Sequence, residues 1–304
     1  MSRKYYTKIK VEILGADLII EDADMSVDFT KTDEEKPNYC DLTIYNVSDD
    51  TYNRINSKAN SARIYADIDG EGYALIFAGD LRNMQKWKKA KTQTAKKIKK
   101  QNKIKKAVIH YNEPPIRREG EVDIATIISL QDGIKSGEID TFISKSYKNA
   151  IKNTAVLDDI LRSAKYMNSN VKISAESNAL KEYTYPAGLV LHGNLMSVLR
   201  SVCNTGGAYC TMQNDTILIS SKSIDTANKV YTYLLDGTNC PTPETSTDKE
   251  LDINAPFIPN INPFNFVKLD FRDYSGLFQV KKIHSKIDNF GSDYETQITV
   301  KMDI

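Results

Sequence analysis

Apolar and polar residues alternate along the first 80 positions with the period of two that marks a half-buried β-strand. Lys10 and Glu12 separate Ile9, Val11 and Ile13, and Ser26 and Asp28 separate Met25, Val27 and Phe29. The pattern returns at Leu42 and Ile44, at Ala62, Ile64, Ala66 and Ile68, and at Tyr73, Leu75 and Phe77. Between the last two runs, Asp69-Gly70-Glu71-Gly72 supplies residues that tolerate positive φ, which predicts a hairpin loop. Ser48 followed by Asp49 and Asp50 predicts a short helix over 49–56, with a hydroxyl cap and carboxylates at its positive end.

The period changes in the middle of the chain. After a strand-like run from Val122 to Leu130, closed by Asp132-Gly133, Val156, Leu157, Ile160, Leu161 and Ala164 recur at three- and four-residue spacing. That spacing predicts a helix over 154–167, with Thr154 as its cap, acidic residues early and basic residues late. Leu195, Val198, Leu199, Val202 and Cys203 repeat the design, and Gly206-Gly207 should end this second helix. A hairpin is expected next, Tyr209 to Met212 and Thr216 to Ser220 about a turn at Asn214-Asp215. Residues 236–263 are rich in Thr, Asn and Pro and read as loop. Alternation resumes at Val267, Leu269 and Phe271, continues at Phe278 and Val280 after a turn at Ser275-Gly276, and ends at Ile298, Val300 and Met302.

These patterns predict a mixed β and α+β protein in which two barrel-like antiparallel β domains flank an α+β middle domain. The expected boundaries are 1–132, 133–224 and 225–304, with the last domain able to borrow strands from 119–145. A chain of 304 residues is long enough for that division and should bury roughly three quarters of its unfolded surface.

Composition adds one anomaly to an ordinary picture. Apolar residues make up 40% and charged residues 27%, with a formal net charge of +1, so nothing overall demands a polyanionic partner. Yet eleven lysines fall between Lys86 and Lys106, with no acidic residue between Arg82 and Tyr111. Glu113-Pro114-Pro115 ends the block. Lys86, Trp87, Lys88, Lys89, Lys91, Lys96, Lys97, Lys99, Lys100, Lys103, Lys105 and Lys106 form a candidate partner-contact loop, since lysines without arginines or interleaved aromatics lack groups that read bases. A phosphate-binding reading, with Trp87 stacking on a base, is the alternative.

No catalytic constellation accompanies these features. His110, His192 and His284 stand alone, without the spacing of a metal site, and no GxSxG elbow, Walker loop or GxGxxG fingerprint occurs. We therefore expect no enzymatic activity, cofactor or metal. Cys40, Cys203, Cys210 and Cys240 are too scattered for a zinc knuckle and are expected as reduced, buried thiols. No apolar run long enough to span a membrane and no apolar signal-peptide core occurs, so neither membrane insertion nor export is expected.

In order, the pieces resemble the baseplate or tail hub family of tailed phages and phage-derived particles. Cys40-Asp41-Leu42-Thr43-Ile44-Tyr45-Asn46-Val47-Ser48 is similar to the family's early strand. Ile127 to Gly133 resembles a strand ending in Asp-Gly, followed by Ser146-Tyr147 and the helix of 154–167. Gly193 to Ser220 resembles the family's helix, glycine, aromatic and hairpin unit. Asn262-Pro263 and Gly276 to Ile283, leading into His284, resemble its closing elements. The resemblance implies a homotrimeric ring that adapts a hexameric tail tube to a trimeric central spike, located in the virion baseplate after assembly in the host cytoplasm. Its implied partners are the tube and spike proteins, with tape-measure and baseplate wedge proteins as further contacts. The lysine block departs from the family pattern, and no appended peptidoglycan-degrading domain is expected. A cell-wall-degrading tail enzyme and a nucleic-acid-binding module are the competing readings.

Overall fold

The computed structural model describes residues 7–34, 37–88, 124–132, 142–167, 172–175, 179–221, 233–247, 249–290 and 294–302. The N-terminal part contains β1 (Thr7–Leu14), β2 (Leu18–Ile20), β3 (Met25–Thr32), β4 (Tyr39–Tyr45), α1 (Asp49–Lys58), β5 (Ser61–Ile68), β6 (Ala74–Lys88) and β7 (Ile124–Gln131). Then follow β8 (Phe142–Tyr147), β9 (Ile151–Lys152), α2 (Asn153–Met167), β10 (Lys172–Ala175), β11 (Thr184–Tyr185), β12 (Leu189–Asn194), α3 (Leu195–Thr205), β13 (Ala208–Gln213) and β14 (Thr216–Ser221). The chain closes with β15 (Tyr233–Asp236), β16 (Glu244–Thr247), β17 (Glu250–Pro256), β18 (Phe266–Asp270), β19 (Ser275–Asp288) and β20 (Tyr294–Lys301).

The fold is mixed β and α+β, with barrel-like antiparallel β units at either end of the chain and helices α2 and α3 between them. The two β units are hydrogen-bonded into one sheet, in the order β16-β17-β20-β19-β3-β4-β7-β6-β5-β1-β2, with β15-β18 as a branch on β19. Strand β19 is the shared element. Its first residues pair with β18, and from Lys282 to Asp288 it pairs with β3 on one side while β20 lies on the other. Every pairing in this sheet is antiparallel except β15 with β18.

Burial divides into three clusters. The first gathers Ile9, Val11, Val27, Phe29, Leu42, Ile44, Ile64, Phe77 and Ile128, together with Phe257 and Ile287 from the far end of the sequence. The second lies between α2, α3 and the β13–β14 hairpin and includes Val156, Ile160, Leu195, Leu199, Val202, Ile217 and Ile219. The third contains Leu251, Ile253, Val267, Leu269, Val280, Ile283, Ile298 and Val300. In the second cluster the stripes read from the sequence are the faces that pack, and in the other two the alternate faces read at β1, β3, β4, β5 and β18 do, joined in the third by Leu251 and Ile253 of β17.

Local signals set the element ends. Ser48 Oγ accepts the Thr51 amide at 3.1 Å and caps α1, whose only buried residue is Ile55. Asn194 Oδ1 caps α3 by accepting the Ser197 amide at 2.8 Å. Asn214 and Asp215 both take positive φ, as a two-residue hairpin turn requires, and both residue types tolerate that region.

Four expectations are corrected. Thr154 does not cap α2; Asn153 begins that helix, and its side-chain oxygen accepts the amides of Thr154 and Tyr183 at 2.9 and 3.0 Å. The segment 236–263 is not all loop, because β16 and β17 lie in it. Leu251, Ile253 and Ala255 alternate inward along β17 against β20, a weak pattern hidden by the surrounding Thr, Asn and Pro. Ser275-Gly276 begins β19, and the chain reverses at Phe271–Tyr274 instead, closed by the Phe271 amide on the Tyr274 carbonyl at 2.9 Å. The predicted alternation Tyr73-Leu75-Phe77 breaks at a bulge in β6, where Ile76 is the extra residue opposite Ile64 and Tyr65 of β5, and both Ile76 and Phe77 turn into the core.

Candidate functional site

Of the candidate contact residues, the structure places Lys86, Trp87 and Lys88 at the end of β6, whereas Lys89, Lys91, Lys96, Lys97, Lys99, Lys100, Lys103, Lys105 and Lys106 lie outside the described residues. The block therefore starts as strand, which corrects the expectation of loop from Lys86 onward. The reason is pairing: Gln85 through Lys88 sit opposite Ile127 through Ile124 of β7. The Lys86 ammonium pairs with Asp49 of α1 and lies 5.0 Å from the centre of the Tyr52 ring. Trp87 is partly exposed on the other face. At this end of the block, one lysine is thus already neutralised by the helix beside it.

A shallow groove of about 560 Å³ runs between β8 and α2, lined by Phe142, Lys145, Asp159, Arg162, Tyr166 and Met167. Its polar floor is internally paired. Lys145 Nζ donates to Asp159 Oδ2 at 2.6 Å and to Ser163 Oγ at 2.5 Å, and Tyr147 donates to the same carboxylate oxygen at 2.9 Å. The hydrogen bond from Lys145 holds the Asp159 carboxyl below its usual range. Burial, with the Asp159 carboxylate beside it, pushes the Tyr147 phenol up. Both changes fix the groups in one protonation state near neutral pH, so this arrangement offers an ion pair rather than a general acid or base. On the outer face of the β8–β12 ribbon, Phe142 packs edge-on against His192 at 4.6 Å beside exposed Val190.

The most heavily constrained polar group lies where the α+β unit meets the sheet. The inward face of β3 reads Met25, Val27, Phe29 and then Lys31, which is 1% exposed. Its ammonium donates to Asn262 Oδ1 at 2.7 Å. Asp132, at the end of β7, is fully buried and accepts the Asn38 amide at 2.9 Å and Asn38 Nδ2 at 2.8 Å. Asn38 Nδ2 also lies 3.0 Å from the Met212 carbonyl and 3.2 Å from Gln213 Oε1, while its own oxygen accepts the Thr32 amide. Gln213 Nε2 donates to the Thr32 carbonyl at 3.3 Å. Burial lowers the Lys31 ammonium to about 8, against the opposing pull of Asp132. Burial raises the Asp132 carboxyl to about 7, although Asn38 donates to it.

Sequence reading singled out Asp132 only as the end of a strand and missed Lys31, Asn38 and Gln213. One signal was present. Continuing the alternation of Met25, Val27 and Phe29 by one step points Lys31 inward. Asn38 and Gln213 carried no local signal, because their partners are distant in sequence.

Three further contacts seat the α+β unit. Tyr209 donates to Gln279 Oε1 at 2.9 Å and stacks on Phe264 at 4.3 Å, and Arg200 Nη2 donates to the Glu34 carbonyl at 2.8 Å. All four cysteines are buried. Among the described residues no group of His, Cys, Asp and Glu is placed to hold a metal, and no helix is long and apolar enough to cross a membrane.

The sequence matches no family model and no curated protein. The fold does have relatives among solved structures. A tail protein from Neisseria meningitidis superposes with a TM-score of 0.60 at 8% identity, covering 98% of this chain and 97% of that one. The tail protein of prophage MuSo2 from Shewanella oneidensis gives 0.57 at 11% identity, covering 96% of each chain. The E. coli c3393 protein, a component of the type VI secretion system described as similar to the T4 bacteriophage tail proteins gp27 and gp5, gives 0.52 at 9% identity, over 95% of this chain and 76% of that one. At such low identity the shared property is the fold, and this chain has the fold of these phage tail and secretion-system proteins.

Proposed function

We propose that this chain is a structural hub subunit of a phage tail or tailocin baseplate, three copies of which form a ring between the tail tube and the central spike. The observation that carries the reading is the end-to-end match in fold to two tail proteins, one of them from a prophage, over nearly the full length of both partners. In this reading the two β units, which are joined edge to edge through β3 and β19, supply the two faces with which a ring of three meets a hexameric tube. In this reading the subunit is a virion component without catalytic activity, and its work is shape and contact.

The lysine block from Lys86 to Lys106 serves as a contact to an acidic surface of a neighbouring tail protein. Replacing Lys96, Lys97, Lys99 and Lys100 with Glu should weaken co-assembly with that partner and leave the fold intact. Light scattering and particle imaging test the whole reading. Trimers of the purified chain, alone or with tube and spike proteins, and the subunit at the tube-to-spike joint support it. A chain that stays monomeric in every combination and is missing from purified particles overturns it.

A further inference from the structure

Two oppositely charged side chains are buried at the seat of the α+β unit without the saturation that usually accompanies such burial. Lys31 carries three donors, and among the described residues its hydrogen-bond acceptor is the single amide oxygen of Asn262, with the centre of the Phe29 ring 5.7 Å from the ammonium. Among the described residues the donors to the Asp132 carboxylate are the backbone and side-chain amides of Asn38, and the two side-chain hydrogens of Asn38 face three acceptors: Asp132, the Met212 carbonyl and Gln213. A buried ion pair recovers its desolvation cost only with good geometry and full hydrogen bonding. Neither holds here, so the seat is closed against a residual cost of keeping both groups charged.

The surrounding charges do not remove that cost. Lys31 faces Asp132 from β7 and the Cys40 thiol from β4, and Asp132 faces Lys31 and Asp215 of the β13–β14 turn. Cys40 is in turn flanked by Asp41 and Asp28, and its thiol stays neutral because burial pushes it up. The other nearby ions have partners of their own. Asp33 pairs with Lys301 at 2.6 Å, Lys281 with Glu250 at 2.5 Å, Asp28 with His284 at 2.9 Å, and Asp41 accepts Ser129 at 2.6 Å.

We propose that the Lys31–Asn38–Asp132–Gln213 junction is a proton-responsive latch between the α+β unit and the sheet, held least tightly when Lys31 and Asp132 are both charged. The sign follows from proton linkage. The closed seat binds a proton at Asp132 more readily than the open one, from the ordinary carboxylate value up to about 7. It binds one at Lys31 less readily, from about 8 up to the ordinary lysine value. Closure therefore tightens as pH falls below 7 and again as pH rises above 8, with its minimum between. The latch is a property of the folded chain and stands independently of the tail-hub reading.

Amide hydrogen exchange across residues 208–216, in β13 and its turn, tests it between pH 5 and 9.5, with rates corrected for the intrinsic pH dependence. The opening constant of the wild-type chain should be largest at pH 7–8 and fall toward both ends, by up to about tenfold per pH unit on the acid side. Lys31→Met should erase the alkaline arm and keep the acid arm, moved to higher pH because the carboxyl has lost its countercharge. Asp132→Asn should erase the acid arm. A corrected opening constant that is flat, or that has its minimum at pH 7–8, overturns the proposal, as does a Lys31→Met protein with both arms intact. Should Asp132→Asn fail to fold, the wild-type and Lys31→Met profiles decide the matter.

Discussion

Lys31 and Asn262, 231 positions apart in sequence, meet at 2.7 Å, ammonium to amide oxygen, one on a strand of the first β unit and the other in the loop before β18. That contact adds a side-chain tie to the β3–β19 pairing that already joins the two β units, and Asn38 ties Asp132 to Met212 and Gln213 of β13. The buried polar groups at the junction specify orientation, since apolar packing alone would tolerate sliding of one unit on another.

Asn38→Ala should destabilise the protein by about 2–4 kcal/mol. It removes partners of the Thr32 amide, Asp132 and Gln213 at once and leaves buried groups unsatisfied. Urea denaturation gives the number, and a loss below 0.5 kcal/mol, as an order-of-magnitude limit, would mean water replaces the side chain freely.

Phe257→Ala should cost about 3–5 kcal/mol, as deletion of a buried ring does. The effect should be felt in the first β unit, because Phe257 packs edge-on against Phe29 at 6.3 Å and belongs to that cluster despite its position late in the chain. Hydrogen exchange would localise it: faster exchange in β3 and β4 is expected, and a change confined to β17 would contradict the assignment.

Leu199→Asp places a carboxylate at a position with no exposure in the cluster between α2 and α3. A loss of about 4 kcal/mol or more is expected from burying an unpaired charge. An unchanged melting temperature would refute that packing.

His284 contributes a small pH dependence. Its hydrogen bond to Asp28 at 2.9 Å raises its affinity for a proton, outweighing partial burial and the repulsion of Lys282 and Lys286. The stabilisation is fully present below the ordinary histidine value and is lost as pH rises through the raised one. Because the ring is 44% exposed, solvent screening limits it to below about 1 kcal/mol. The wild-type chain should therefore lose slightly more melting temperature than His284→Gln between pH 6 and pH 8. Equal losses in both proteins would assign the pH dependence to other groups.

The sequence by itself determined the alternation that builds β1, β3, β4 and β5, the strand-like run of β7, the stripes of α2 and α3, the Ser48 cap of α1 and the Asn214-Asp215 turn. Each depends on residues a few positions apart, where backbone period, capping and sterics act directly. The tertiary structure alone decided that β3 pairs with β19, that Phe257 joins the N-terminal core, that Lys86 begins as a strand residue held by Asp49, and that Lys31, Asn38, Asp132 and Gln213 converge. Those outcomes depend on which surfaces meet after the chain has doubled back, over separations from 37 residues for Lys86 and Asp49 to 256 for Asp28 and His284, and the cost of closing such loops grows only slowly with length. Local pattern carries almost no trace of them. An inward lysine on β3 looks like an exception to its own strand until the asparagine from the far end of the chain is beside it.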